Sequence, residues 1–461
     1  MTDPSLRQVL ELGGLPASAA EHAEIVGPAP VFPTRYNIVP PGAAAIAASG
    51  VAAAELWALK TGRRQHVRVN ARAAAAALRS SRYIRIHGEK PEEDPEKITG
   101  FYQLRDRRWI YLHCNFFNLR DRALRVLGAP AKREAVIEAV ARWDGLELEN
   151  AIFEAGGACS LVRSEEEWRA LPQMHAVSHL PLIEILKIGD ALPRPLPPGD
   201  RPLSGVRVLD LTRVLAGPTC ARTLAEHGAD VLRITREDLA DSGPSDFDTG
   251  IGKLSAHLDL RNAAEAERMR ELVRECDVFS QSYRPGALAA RGLSPQALAE
   301  LRPGIVYVTL SAWGHEGPWR GRRGYDTVVQ SANGMAWRPD NQRPAFLPVS
   351  AQDYISGYLL AFGAMAALAR RVREGGSWLV RTSLANAGLW IREHGLIDPA
   401  AYAHLPEELP DEELRSYMTQ HDSPIGRLTH LAPVVEMSET PARWARPAVP
   451  RGYHRPEWPP R

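Results

Sequence analysis

The chain has 461 residues, 44% hydrophobic and 24% charged, a balance that belongs to folded domains and excludes a disordered or fibrous chain. Its 56 basic and 55 acidic side chains leave a formal net charge of +1, which excludes a broad nucleic-acid face or a polybasic membrane patch. Any anion site must therefore be local, built from a few well-placed arginines and lysines.

In chain order, MTDPSLRQVLELGG carries acidic residues and no apolar core, so no signal peptide is expected. No apolar run stands out at the ~18–20 residues that cross a bilayer. The four cysteines, Cys114, Cys159, Cys220 and Cys276, form no CxxC pair and no metal-ligand spacing with histidine. The expectation is a cytoplasmic protein with reduced thiols, no bound metal, no membrane span and no nucleic-acid partner. Residues 52–84, AAAELWALKTGRRQHVRVNARAAAAALRSSRYI, read as an Ala-rich helix, a basic Gly turn, a short strand and a second Ala-rich helix. The stretch LPRPLPPGDRPLSG (192–205) is dense in Pro and Gly and reads as a linker. Beyond it, 206–211 (VRVLDL), 230–234 (DVLRI), 277–280 (DVFS) and 305–310 (IVYVTL) are short β-branched runs alternating with helical patterns, the grammar of βαβ units and a parallel sheet. The Gly turn after VRVLDLTRVLAGP is not a GxGxxG, so no dinucleotide fingerprint is present. The helix–Gly–strand–helix pattern returns at 362–391, FGAMAALARRVREGGSWLVRTSLANAGLWI, a weak internal repeat that any Ala-rich αβα segment would also produce. The tail GYHRPEWPPR is expected to be extended and only partly ordered.

Four blocks in order over 203–395 carry a resemblance: PLSGVRVLDLTRVLAGPTCARTLAEHGADVLRI, SYRPGALAARGLSPQALAELRPGIVYVTLSAWGHEGPWRGRRGYD, AQDYISGYLLAFGAMAALARR and GGSWLVRTSLANA. They resemble the family III CoA-transferases, the group of formyl-CoA transferases, carnitine CoA-transferases and α-methylacyl-CoA racemases. Ahead of these blocks and out of order, residues 42–84 are similar to a late large-domain segment of that family and 107–175 to its small domain, while HLAPVVEMSETPARWARPAVPRGYH is similar to its C-terminal return. The chain then reads as a rearranged fusion. A degenerate large-domain segment spans 1–105, a small α/β domain 106–190, a Pro-rich linker 191–204, the large Rossmann-like CoA-binding domain 205–398 and a return segment 399–461. The resemblance implies an α/β fold with a parallel sheet, the family's interlocked architecture and a homodimer.

It also implies the chemistry. Asp353, which as a residue type is an ordinary helix N-cap, matches the family's nucleophile, and its counterpart in the first copy falls on Pro40. The backbone of Leu215, Ala216 and Gly217 is the candidate oxyanion site. Leu215 stands where some relatives have Gln, which speaks against an oxalate- or formate-type substrate. Coenzyme A, a substrate here and no tightly bound cofactor, would meet Arg236, Lys253, Tyr283, Arg284, Arg323 and Tyr325. The racemase branch has His where Tyr325 stands, and a phenol of ordinary pKa near 10 is a poor base. Asp326 reads as a structural hydrogen-bonding residue, and His113, His227 and His315 as polar or packed side chains. The activity expected is transfer of CoA from an acyl-CoA to a carboxylate, with a degenerate CoA-binding protein and an acyl-CoA racemase as alternatives.

Overall fold

The computed structural model describes residues 3–91, 98–239, 243–339 and 342–460. Its main sheet has seven strands: β1 (Glu184–Gly189), β2 (Arg207–Leu211), β3 (Asp230–Thr235), β4 (Lys253–His257), β5 (Val278–Gln281), β6 (Val306–Ser311) and β7 (Ser377–Ser383). Their spatial order is β4-β3-β2-β5-β6-β7-β1, with every pair parallel except β7–β1. Every residue of β2 and β5 is buried, as helices on both faces of a parallel sheet require. The chain direction reverses between β2 and β5. In such sheets the connecting loops leave in opposite directions there, and a crevice opens beyond the strands' carboxyl ends. The mixed α/β architecture expected from the alternating runs is the one found.

Three helices start at or beside that crevice, α2 (Ala216–Glu226), α3 (Asp326–Ala332) and α4 (Ala351–Glu374), and α1 (Val39–Thr61) packs against α4. Contrary to the expectation from apolar runs, α1 and α4 are long and apolar enough to cross a membrane by length and composition, with mean hydropathies of 1.5 and 1.2. In the fold they are 78% and 89% buried and pack against each other. Their alanines leave room for close helix–helix approach, and α4 also lies against α2. Gly357 permits that last contact: a methyl group there would sit 2.6 Å from the Ala216 carbonyl oxygen.

A smaller antiparallel sheet joins Gly100–Gln103, Trp109–Leu112 and Cys159–Leu161 and packs helices over Ile110, Leu148, Ile152 and Leu161. Its first strand lies ahead of 106. Conversely β1, at the end of the 106–190 segment, is the antiparallel edge of the main sheet. The hairpin Met418–Ser423 and Gly426–Leu431 pairs with Arg85–Ile86, and Val435–Met437 pairs with Val67–Asn70, so the return segment closes on the N-terminal part of the chain. The tail is docked rather than loose. His454 N–H donates to Ser255 O at 2.7 Å, Trp458 Nε1–H donates to Leu272 O, and Arg207 lies over the Trp458 ring. A tryptophan with both an apolar seat and a hydrogen-bond acceptor outweighs the extended bias of the surrounding prolines. All four cysteines are free thiols.

Candidate active site

Asp353 is the third residue of α4 and is 8% exposed. No side chain caps this helix from within the chain segment that precedes it. The cap comes from Asp326, the last residue of the Gly324-Tyr325-Asp326 motif, whose Oδ2 accepts the Asp353 backbone N–H at 3.0 Å while Gln330 donates to Oδ1. Asp326 therefore anchors α4 and holds the Asp353 backbone still. The two carboxyls share one buried space. Burial first, and then the charge of Asp326, push the Asp353 carboxyl well above the usual carboxylate range. Burial also lifts Asp326, to about 6, against the pull of the backbone N–H groups of Asp353 and Gln352 and of Gln330.

The next residue ties the helix to the N-terminal part of the chain. Tyr354 OH accepts the Ser81 N–H at 3.0 Å and lies 3.1 Å from Ser80 Oγ. Ser80 Oγ donates to Asp248, which is paired at 2.6 Å with the buried Arg222. This is a connected buried polar network beside the nucleophile candidate, with Arg222 Nε left without a hydrogen-bond partner.

Above Asp353 opens a cleft of about 580 Å³ at the carboxyl ends of β2, β5 and β6, the place the strand order predicts. Apolar residues Leu215, Ala216, Leu310, Ala312 and Leu384 line it together with Ser311 and Asp353. Arg236, Tyr283, Arg284, Arg323 and Tyr325 also line it, with the guanidinium of Arg284 close enough to act on that of Arg323. Val214, at the rim, has φ 73°, a left-handed conformation costly for a β-branched residue, and packs with Tyr325 and Phe116. Burial pushes the Tyr325 phenol up, which weakens it further as a base at neutral pH. His113 stacks on the Tyr325 ring at 3.9 Å, so the histidine is packed, as its lack of partner spacing suggested.

Eight of the ten residues singled out in the sequence line this cleft: Asp353, Leu215, Ala216, Arg236, Tyr283, Arg284, Arg323 and Tyr325. Two do not. Lys253 is a correction. It is 1% exposed, its Nζ lies 2.7 Å from Asp210 Oδ2 and donates to Pro218 O, and it holds β4 to the start of α2 instead of reaching the cleft. A buried ammonium is spent on the carboxylate that pays its desolvation. At Gly217 any side chain would strike Thr212, so its lack of a Cβ serves packing between β2 and α2. The sequence reading missed Arg213, Arg320 and Arg322, and also Phe117, Asn118 and Arg122 of the small unit. The arginine doublet 322–323 was a legible hint. Nothing in the spacing linked 117–122 to a site whose other residues begin nearly a hundred positions later. Among the described residues no group of three or more histidine, cysteine or carboxylate side chains is placed to hold a metal ion.

A doubly wound sheet with a crevice at its reversal point, lined by arginines around a buried carboxyl, defines the class as α/β with a cationic cleft. Residues 203–414 match the profile described as CoA-transferase family III. It is 27% identical over 362 residues to the acetyl-coenzyme A transferase nodX of Hypoxylon pulicicidum, an alignment over 72% of this chain and 59% of the relative. It is 32% identical over 209 residues to human succinyl-CoA:glutarate CoA-transferase, covering 42% of this chain and 48% of the relative. The chain thus spans about half to three-fifths of the length of these curated relatives. A crystal structure of Rv3272 from M. tuberculosis is 29% identical and overlaps 42% of this chain and 57% of its own, with a TM-score of 0.40.

Proposed function

We propose that the chain is an acyl-CoA:carboxylate CoA-transferase working through covalent catalysis on Asp353. The observation that carries this reading is the position of Asp353, a buried carboxylate lining an arginine-rich cleft together with apolar residues, with its backbone fixed by Asp326. The family match and the names of the relatives support it. In the mechanism, an Asp353 oxygen attacks the thioester carbonyl carbon, the C–S bond breaks, and a mixed anhydride and CoA thiolate result. The thiolate attacks the aspartyl carbonyl and releases the donor carboxylate, leaving an aspartyl-CoA thioester. The acceptor carboxylate then attacks that carbonyl, expelling thiolate and forming a second anhydride. Attack of thiolate on the acceptor carbonyl yields the new acyl-CoA and regenerates Asp353. Each tetrahedral intermediate is an oxyanion, for which the backbone N–H groups of Leu215, Ala216 and Gly217, at the N-terminus of α2, are candidates.

The apolar lining fits an aliphatic acyl group better than a formate or oxalate, since Leu215 offers no polar contact. Coenzyme A enters as substrate. Two-base racemisation is disfavoured because a tyrosine, not a histidine, occupies 325. The family's homodimer is carried over as part of this proposal, and light scattering on the purified chain tests it: a mass of one chain would remove it.

The deciding experiment is intact-protein mass spectrometry after incubation with a panel of acyl-CoAs, with hydroxylamine trapping, beside Asp353→Ala. A CoA adduct or hydroxamate mapped to Asp353 and absent from the variant is the expected result. No adduct with any donor would leave a binding protein without transferase chemistry.

A further inference from the structure

The cleft is built by two parts of the chain. Its walls from β2, β5 and the 320–325 loop belong to the main sheet, whereas Phe117, Asn118 and Arg122 come from the first two turns of the helix Phe117–Leu127 in the small unit. Among the described residues seven arginines line it against two carboxylates, Asp238 and Asp353. Asp238 is already engaged by Arg236 and Arg261, and Asp353 is buried. Arg122, Arg284 and Arg323 have no carboxylate within ion-pair distance among the described residues, so three guanidinium groups from both parts of the chain face one space without a counter-charge. Coulomb repulsion across a partly desolvated cleft is a standing cost to the fold, offset when a polyanion binds. Burial and the neighbouring cations Arg284, Arg122 and Arg213 weaken the hold of Arg323 on its proton, in keeping with that convergence.

Arg122 is also oriented. Its Nη1 donates to the Gly156 carbonyl at 2.7 Å, on a turn where Gly156 has φ 72°, and a side chain at 156 would come within 3.0 Å of the guanidinium. One edge of the fork is thereby fixed to the small unit while the residue still lines the cleft. That is the arrangement of a pre-positioned anion contact and not of a freely solvated surface arginine.

Building on the reading of the cleft as a CoA site, we propose that Arg122 is a coenzyme A-binding residue supplied by the small unit, which grips a phosphate of the nucleotide together with Arg284 and Arg323. The ligand then bridges the two parts of the chain, and the phosphate grip is complete within one polypeptide.

Isothermal titration calorimetry of the full chain with coenzyme A tests this, using wild type, Arg122→Gln and Arg125→Gln. Arg125 is exposed on the same helix, lies outside the cleft and removes the same charge. The expected result is that Arg122→Gln weakens binding by about tenfold or more, the loss of one charge-assisted hydrogen bond, while Arg125→Gln leaves it within about twofold. Equal affinities in all three proteins would overturn the role of Arg122 and leave the CoA site standing. Equal weakening in both variants would overturn it too, since a long-range field and no contact would then act. No binding by wild type would remove the CoA site itself and this inference with it. Thermal melts accompany the titrations, and Arg122→Lys, which keeps the charge and loses the fork, is expected to fall between wild type and Arg122→Gln.

Discussion

Two segments of this chain share one plan and have opposite fates. In the first, α1 ends at Gly62, the strand Val67–Asn70 follows, and Asn70 caps a short helix of alanines. In the second, α4 ends at Gly375, β7 follows, and Ser383 caps the helix Leu384–Glu393. Both glycines have positive φ, 77° and 69°, but their ψ angles are −2° and −156°, so the two turns differ, and aligning on them sets Pro40 opposite Asp353. The shared plan is the order of elements, helix, Gly turn, strand and helix. What differs is local to the helix start. α4 begins with a carboxylate whose backbone is capped by Asp326 across the fold, whereas α1 begins with Val39, Pro40 and Pro41 and carries no side-chain cap. The lesson is that a helix–turn–strand scaffold survives on packing alone, while reactivity rests on two or three residues that can be lost without harming it.

The largest effect expected is the one that breaks the pair apart. Asp353→Ala should lower acyl transfer by at least ~10³-fold, because no other group can take up the acyl anhydride, whereas Pro40→Ala should leave the rate within about twofold. Initial rates with any donor that labels the protein decide it, and an equal loss in both variants would sink the assignment of a single site. The pH dependence has a definite sign. The reacting form of Asp353 is the carboxylate, and burial with Asp326 nearby raises its pKa, so the rate should climb with pH through that raised value. Folding responds the opposite way: a carboxyl whose pKa is raised in the folded state adds stability below its unfolded value and loses it as pH rises through the folded one. Asp353→Asn should therefore melt higher than wild type at pH 8 by about 1–4 °C and gain less at pH 5. A variant less stable than wild type at pH 8 would contradict the buried-charge account.

A second contrast separates binding from building among the cationic residues. Removing Lys253 strands Asp210 without its partner in the interior, so Lys253→Met should destabilise the fold by about 3–5 kcal/mol. Arg284→Ala, at the cleft, should cost little stability, within about 0.5 kcal/mol, and weaken CoA binding about tenfold. Urea unfolding and calorimetry on the two variants read both quantities, and a stable Lys253→Met with impaired CoA binding would restore the original phosphate-contact reading.

That pair of residues also marks how far the sequence could be read. The alternation of short apolar runs with helical patterns foretold β2, β3, β5 and β6 to within one residue, because buried parallel strands are continuous hydrophobic runs. The candidate residues near β2, β5 and the 320–325 loop fell together because they follow strand ends, where the sheet's own topology opens the crevice. Lys253 was misjudged because a lysine's charge is visible in sequence and its burial is not. Arg122 was missed because its place in the cleft depends on how two separate parts of the chain meet, and no local pattern encodes that. The two long central helices were legible as Ala-rich helical stretches, but not their length and apolar character, because their alanines and scattered polar residues spread the hydropathy below what a run-length reading registers.

The smallest effect expected returns to the two glycine turns, where two positive-φ glycines of different ψ, −2° and −156°, meet different surroundings. At Gly62 nothing lies within 4 Å of where a methyl group would stand, so Gly62→Ala meets only the cost of a left-handed alanine, about 1 kcal/mol. At Gly375 the methyl would run into the Ala191 carbonyl and the Leu192–Pro193 peptide of the linker, which are backbone atoms that cannot turn aside. Gly375→Ala should therefore cost clearly more, about 2–4 kcal/mol, as the linker or the start of β7 shifts. Because β7 pairs with β6, whose end lines the cleft, that shift should also lower activity, while Gly62→Ala should leave it unchanged. Denaturant midpoints and initial rates for both variants test the point, and equal destabilisation would mean that the linker yields freely at 191–193 and does not brace the second copy.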